Sequence, residues 1–377
     1  MKQINILHTN SFTPNEIAFL FPLYFNKRRL KSYGINLSFF SKKVPKLLEA
    51  DVLLANSKFF INKWNNKEDI FEFLLSVKNK GLRVIWCDIT DSTGTTQFEV
   101  LPFVDKYFKA QKLKDSSNYL NSYYGSRIFT DYYHKKFNIT DHEPFPEHLS
   151  YIPEADQLDK ISVHWNSALA DYGVWGDRFL GDKIFKLRRF LPIPYTYPYK
   201  WYFPKRNRPL LFSCRIGTSY KRNTIAFQRK EVDRIVFQKY EKNKSTKKIS
   251  RLKYMHELAQ SQSVFSPFGF SEICYRDFEI FICGAACIKP EMDHMETWPD
   301  LWIKNKTYIP FKWDFSDLDE LILSLEDKKH QKNKNYKDIS SIKMPLVKRG
   351  YLLKLQISAC LSATASTIEF FIWEEYE

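Results

Sequence analysis

Short apolar runs alternate with amphipathic segments along the sequence, and this alternation limits what the chain can fold into more than any other feature. In the first half, the apolar runs at 4–8, 35–41, 52–55 and 84–87 lie between polar stretches, which is typical of buried strands. Residues 69–77 have helical spacing and are followed by Lys80 and Gly81, a pair that favours a helix end. Strands that alternate with helices predict a parallel sheet with helices on both faces.

The alternation stops at a stretch rich in proline and aromatic residues and then starts again. Residues 191–209 contain prolines that exclude a long helix or a central strand, so we predict a linker there. After it, apolar runs predict strands at 210–214, 264–266 and 286–289, and amphipathic segments predict helices at 251–259, 272–283 and 317–325. We therefore predict an α/β chain with one domain at 1–190, a second at 210–345 and a cleft between them.

Composition leaves several partners open. The 377 residues suit two domains, and the net charge of +15 would fit nucleic acid, an anionic membrane surface or a phosphorylated substrate. The six cysteines form no C-x-x-C pair, which favours buried, reduced thiols over metal or disulfide roles. No apolar run is long enough to cross a bilayer or to act as a signal peptide, so we predict a cytoplasmic protein.

The segment 263–292 carries the clearest chemical signal. After a strand, Pro267 and Gly269 predict a tight loop, Ser271 is a candidate N-cap, and Glu272 would lie in the first helical turn. Gly284 predicts the end of that helix. A loop that leads into a helix N-terminus presents backbone N–H groups, which suit a pyrophosphate.

Arg276 and Glu279 are three residues apart and would share one face of this helix. A cation and a carboxylate in that position could hold a phosphate and a ribose diol. The alternative is an ordinary helix with a surface ion pair, which contributes less than about 1 kcal/mol.

A resemblance to known enzymes favours the first interpretation. The order of Pro267, Gly269, Ser271, Arg276, Glu279 and Gly284, followed by the apolar run AACI, resembles the signature in the C-terminal half of exostosin-like glycosyltransferases. It is also similar to the glutamate-containing element of retaining GT-B transferases, whose glutamate holds the donor ribose. Ser271 stands where the two-glutamate form of that element would have its first glutamate.

The resemblance implies a GT-B architecture, in which two Rossmann-like domains face a cleft and the second domain binds a nucleotide-sugar. A second patch, 208–227, resembles the start of the same domain in that family, where Arg215, Lys221 and Arg222 follow a strand and would clamp the donor diphosphate together with Arg276. No cofactor or bound metal is implied.

The resemblance also implies roles for the rest of the chain. The N-terminal domain would bind the acceptor, a hydroxyl of a glycan or lipid-linked molecule in cell-surface polysaccharide assembly. Residues 346–377 would pack back on that domain. The basic surface would contact an anionic membrane from its cytoplasmic face.

Ligands of open α/β sheets gather at the carboxyl ends of the strands, and this rule selects further candidates. Asp88 and Asp91 follow the strand at 84–87 and are candidate general bases for the acceptor hydroxyl. The alternative is a polar turn that makes local hydrogen bonds. His8, at the end of the first strand, is another candidate base.

The strand at 286–289 ends in Lys289, a candidate donor-binding residue, and is followed by a polar loop with Glu291, Asp293, His294 and Glu296. The spacing lacks a standard metal-ligand pattern, so we predict either donor contacts or a polar loop whose groups are satisfied within the protein.

Two other functions stay open. Charge and aromatic content favour a nucleic-acid-binding protein, but the sequence lacks an RNP-type motif, zinc ligands and a concentrated basic helix, so no nucleic-acid partner is predicted. A non-catalytic, sugar-nucleotide-binding member of the same fold would keep the cleft without turnover.

Overall fold

The structure is a computed structural model that describes residues 1–10, 13–142, 151–169, 208–239 and 249–331, together with residue 187. A six-stranded parallel sheet forms the first half, in the order β2-β1-β3-β4-β5-β7. Its short strands are largely buried, because the predicted apolar runs face helices or loops on both sides. In chain order the strands up to this point are β1 (Lys2–Leu7), β2 (Ile35–Phe40), β3 (Val52–Asn56), β4 (Arg83–Asp88), β5 (Lys106–Lys109), β6 (Gln111–Leu113) and β7 (Ile161–Val163).

A second parallel sheet lies after residue 209. Its strands are β8 (Leu210–Ser213), β9 (Ser261–Phe265), β10 (Ala286–Pro290) and β12 (Tyr308–Phe311), in the order β12-β10-β9-β8. The remaining strand, β11 (Met295–Thr297), pairs antiparallel with β6 and so joins the two halves. The predicted fold class, an α/β chain with two parallel sheets, is confirmed.

Helices cover both sheets. The described ones are α1 (Pro14–Ser32), α2 (Glu68–Lys78), α3 (Ile128–Phe137), α4 (Asn223–Lys239), α5 (Arg251–Gln260), α6 (Tyr275–Ile282) and α7 (Leu318–Gln331). The sequence did not predict α1, although Thr13 and Pro14 are a standard helix start. Residues 16–23 are all buried, so the first half of this helix shows no polar face and no helical period.

The helix α6 begins three residues later than predicted. Its first turn is fixed by Asp277, whose Oδ2 accepts a hydrogen bond from the backbone N–H of Cys274 at 3.0 Å. Ser271 is therefore not the N-cap, and Glu272 lies in the preceding loop rather than in the first turn. Gly284 ends the helix in a left-handed conformation (φ 66°), which glycine adopts without strain.

One hydrophobic cluster includes residues from both halves, and α3 connects them. The rings of Phe129 and Phe268 lie 4.9 Å apart, and so do those of Phe137 and Phe227. The linker at 191–207 and the returning segment at 346–377 lie outside the described residues, so the predicted domain limits stay predictions. Among the helices described, none combines the length and apolarity that a bilayer crossing needs.

Candidate functional site

A cavity of about 260 Å³ lies between the two halves. Residues directly after β4, β5 and β7 line one side, together with the start of α1. The loops after β8 and β9 and the start of α6 line the other side. The carboxyl ends of both parallel sheets therefore face the same space, which is where ligands bind in open α/β folds.

Loop 266–274, which connects β9 to α6, contributes the most residues to the second side of the cavity. Ser271 lies there as predicted, and its Oγ accepts hydrogen bonds from Gln111 Nε2 at 2.6 Å and from the Ser92 backbone at 3.2 Å. Gly269 also lines the cavity; a Cβ atom at this position would lie 3.5 Å from the Tyr220 hydroxyl. The predicted loop is thus part of the site.

Glu272 connects the two halves beneath the cavity. Its carboxylate is fully buried, accepts a hydrogen bond from Thr93 Oγ1 at 2.7 Å and lies 3.7 Å from His294 Nε2. Burial alone would raise the pKa of Glu272, but the interactions with His294 and Thr93 outweigh it and lower the pKa to about 2. This environment favours a structural link over direct contact with a donor.

Arg276 and Glu279 lie on α6 behind the cavity wall. Glu279 is buried, and its Oε1 accepts a hydrogen bond from Arg251 Nη1 at 2.6 Å. Cys274 and Tyr275 line the cavity, whereas Arg276 and Glu279 are not among the described lining residues. Glu279 thus bonds to the neighbouring helix α5, and the predicted donor contacts of Arg276 and Glu279 stay predictions.

The three cations after β8 do not line the described part of the cavity either. Arg215 binds Glu257 of α5, with Nη2 and Oε2 2.7 Å apart. Arg222 is buried near the carbonyl of Gly125, and Lys221 is exposed. The residue that this loop sends into the cavity is Tyr220, directly before them.

Lys289 is fully buried inside the second half. Its Nζ lies 3.1 Å from Asp277 Oδ2 and donates to the carbonyl of Ser266 at 3.1 Å. These bonds join β10 to α6 and to the start of loop 266–274. Lys289 therefore supports the loop from behind.

Of the three candidate bases, all within the described residues, only Asp91 lines the cavity, where it accepts a hydrogen bond from Asn15 Nδ2 at 2.9 Å. The Asp88 carboxylate is buried with Lys109 Nζ at 2.9 Å. Burial alone would raise the pKa of Asp88, but the Lys109 charge and three hydrogen bonds outweigh burial and lower it. His8 is buried, and its Nδ1 lies 2.6 Å from the carbonyl oxygen of Thr9.

The polar loop after β10 makes contacts with neighbouring cations. Glu291 pairs with Lys304, and Glu296 Oε2 lies 2.8 Å from Lys112 Nζ. Within the part of the chain that the structure describes, no three His, Cys, Asp or Glu side chains are arranged to hold a metal ion. Two carboxylates of this loop are thus paired with cations outside it, and donor contacts by the loop stay a prediction.

Sequence reasoning missed several cavity residues. Gln111 and His164 follow β5 and β7, so the strand-end rule would have selected them if those short strands had been recognised. His164 is buried, and desolvation lowers its pKa to about 4, so its ring is neutral near pH 7. Tyr220 lies under the guanidinium of Arg229, 5.0 Å from the ring centre, which holds its aromatic face in place.

Comparisons with known proteins give only distant structural likeness. No protein-family model and no curated protein sequence matches the chain. An alpha-glucosyltransferase solved with UDP is 10% identical, with a TM-score of 0.43 over 98% of this chain and 100% of that chain. HepE of Anabaena, solved with UDP-glucose, is 9% identical, with a TM-score of 0.39 over 97% of this chain and 100% of that one.

A further structure, of an alpha-glucosyltransferase with UDP and a 13-mer DNA containing a central A:G mismatch, is 10% identical, with a TM-score of 0.37. The match covers 97% of this chain and 98% of that glucosyltransferase chain.

Proposed function

We propose that the chain is a glycosyltransferase of the GT-B type, which transfers a sugar from a nucleotide-sugar to a hydroxyl acceptor. The observation that carries this proposal is the cavity between the carboxyl ends of two parallel sheets, lined by loops from both. Such a cavity brings one substrate from each half together, which a transfer reaction requires.

The second half offers features that suit the donor. The helix α6 begins at the cavity wall, and the positive end of its dipole suits a diphosphate. Arg276, in the first turn of this helix, adds positive charge from behind the cavity wall. The aromatic rings of Tyr220 and Phe270, 5.3 Å apart at the cavity, offer flat apolar faces to a base or a sugar ring.

In the proposed reaction, the acceptor oxygen forms a bond to the anomeric carbon while the bond from that carbon to the diphosphate oxygen breaks. The nucleoside diphosphate leaves with the electron pair, and the N-terminus of α6 stabilises its charge. In an inverting reaction Asp91 takes the proton of the acceptor hydroxyl, because it is the predicted base that lines the cavity. A retaining reaction would use the same leaving-group contacts without that base.

We also propose that donor binding needs no metal, and that the acceptor is a glycan or lipid-linked hydroxyl in exostosin-like assembly of cell-surface polysaccharide. The net charge of +15 supports contact with an anionic membrane from its cytoplasmic face, where such an acceptor would be presented.

A thermal-shift screen against UDP-, GDP-, CMP- and dTDP-sugars tests donor binding. We expect one nucleotide family to raise the melting temperature, and the increase to shrink in Arg276→Ala, which removes positive charge near the start of α6. Arg234→Ala is the matched control, since Arg234 is a half-exposed helix arginine that pairs with Glu231 on α4. If no nucleotide-sugar shifts the wild-type protein, the proposed function is wrong.

Turnover is tested with the donor found in that screen, by release of the nucleoside diphosphate in the presence of glycan acceptors. In an inverting enzyme, Asp91→Asn should reduce release by about 100-fold or more, whereas Asp69→Asn on the surface of α2 should not. Donor binding without release in the wild type would instead indicate a non-catalytic sugar-nucleotide-binding protein.

A further inference from the structure

Gln111 and Ser271 meet at the cavity wall, one from each half of the molecule. Gln111 is the first residue of β6, two residues after the end of β5, and Ser271 lies in loop 266–274. Gln111 Nε2 donates to Ser271 Oγ at 2.6 Å. The two residues are only 5% and 8% exposed, so this contact is shielded from bulk solvent.

The carboxamide oxygen of Gln111 accepts no hydrogen bond from the described residues. Gln111 Oε1 is buried and has no hydrogen-bond partner among the described residues. A buried amide oxygen usually accepts at least one hydrogen bond, because leaving it unsatisfied costs the desolvation free energy of the group. A buried acceptor without a partner, on a residue that lines a cavity, therefore indicates a donor group on a ligand.

Ser271 supplies the complementary group. Its Oγ accepts from Gln111 Nε2, from the Ser92 backbone at 3.2 Å and from the Ile273 backbone at 3.2 Å. These three donors share the two lone pairs of the oxygen, so the hydroxyl hydrogen of Ser271 remains to donate. The cavity thus presents one acceptor, Gln111 Oε1, next to one donor, the Ser271 hydroxyl.

We infer that Gln111 and Ser271 together recognise one hydroxyl group of the transferred sugar. This inference rests on the proposed function. The sugar hydroxyl donates to Gln111 Oε1 and accepts from Ser271 Oγ, so both of its hydrogen-bonding capacities are used. Gln111 is then a specificity-determining residue, which selects donors by the presence and position of that hydroxyl group. An analogue without the group would leave the two buried groups unpaired.

The test measures dissociation constants by calorimetry for UDP-glucose, its 2-, 3-, 4- and 6-deoxy analogues, and UDP. In the wild type, one deoxy analogue should bind about tenfold more weakly than UDP-glucose, since one hydrogen bond is lost. Methionine has a similar length but no acceptor, so Gln111→Met should weaken the binding of UDP-glucose about tenfold. The variant should not further weaken the binding of that one deoxy analogue, and the dissociation constant of UDP should not change.

Ser271→Ala provides a second variant with the same expectation, in case Gln111→Met alters folding. Gln238→Met is the matched control, because Gln238 is an exposed glutamine on α4, away from the cavity. If both variants lose the same amount of affinity for UDP-glucose and for every deoxy analogue, the inference is overturned and the proposed function stands. If UDP-glucose and the GDP-, CMP- and dTDP-sugars all fail to bind the wild type, the proposed function fails and this inference fails with it.

Discussion

Two of the candidate site residues that lie away from the cavity are buried charges with a buried partner of opposite charge. Asp88 is paired with Lys109, and Lys289 with Asp277, all four side chains being fully buried. An isolated buried charge would be strongly destabilising, whereas a paired and hydrogen-bonded one is tolerated. A charged residue at the end of a predicted strand can bind either a ligand or another side chain of the protein. Its position in the sequence does not show which, so spacing alone did not separate the two roles.

At the residue scale, Glu272 should make the stability of the fold depend on pH. Its pKa is lowered from an ordinary value of 4.5 to about 2, so its contribution is complete well above pH 4.5 and falls as the pH drops towards 2. Between pH 6 and pH 3.5 the advantage of the wild type over Glu272→Gln should shrink by about 1 kcal/mol. Urea unfolding of both proteins across this range measures it.

Glu231→Gln is the control for this measurement, because Glu231 pairs with Arg234 at the surface. Its stability difference from the wild type should change little over the same pH range. A constant difference between the wild type and Glu272→Gln at every pH would show that the Glu272 carboxylate is not selectively stabilised in the folded protein.

At the scale of elements, the sequence predicted β1 to β4 and β8 to β10 and missed the other described strands, which have three or four residues each. The runs at β1 to β4 and β8 to β10 stand out because polar loops flank them, whereas β5, β6 and β7 have only three or four residues each. Missing these strands also hid Gln111 and His164, since both were recognisable only as residues after a strand. Arg276 and Glu279 were placed on the correct helix, but the bond to Arg251 depends on how α5 packs, which spacing does not determine.

The stability of helix α6 should depend on Asp277 more than on any residue that the sequence analysis selected. Asp277 accepts bonds from the Cys274 backbone and from Ser266 Oγ, and it neutralises Lys289. Asp277→Ala should lower the free energy of unfolding by about 3–5 kcal/mol, because Lys289 is left buried and unpaired. Chemical denaturation measures this loss.

The double variant Asp277→Ala with Lys289→Met separates charge from packing. Removing both charges should restore part of the stability that Asp277→Ala loses, since no unpaired ion remains. If adding Lys289→Met to Asp277→Ala lowers the free energy of unfolding as much as Lys289→Met does alone, an unpaired Lys289 charge does not explain the loss in Asp277→Ala.

At the scale of the whole molecule, the two halves are not independent units. The larger hydrophobic cluster includes residues of both, and β6 pairs with β11 across the boundary. Buried hydrogen bonds cross it as well, from Thr93 to Glu272 and from Gln111 to Ser271. The cavity lies within this shared region, so the arrangement that holds the halves together also shapes the site.

This shared core predicts that the described halves unfold in one cooperative transition. Leu74 on α2 is fully buried in a cluster that contains only residues of the first half. Leu74→Ala should lower the free energy of unfolding by about 2–5 kcal/mol through the cavity that it creates.

Because the halves are coupled, calorimetry should show the single wild-type transition moved as a whole to a lower temperature. Leu75→Ala, at a neighbouring position that is 43% exposed, should leave it nearly unchanged. A second transition that stays at the wild-type temperature in Leu74→Ala would mean that the second half folds on its own, and the cavity between the halves would then be free to open and close as they move.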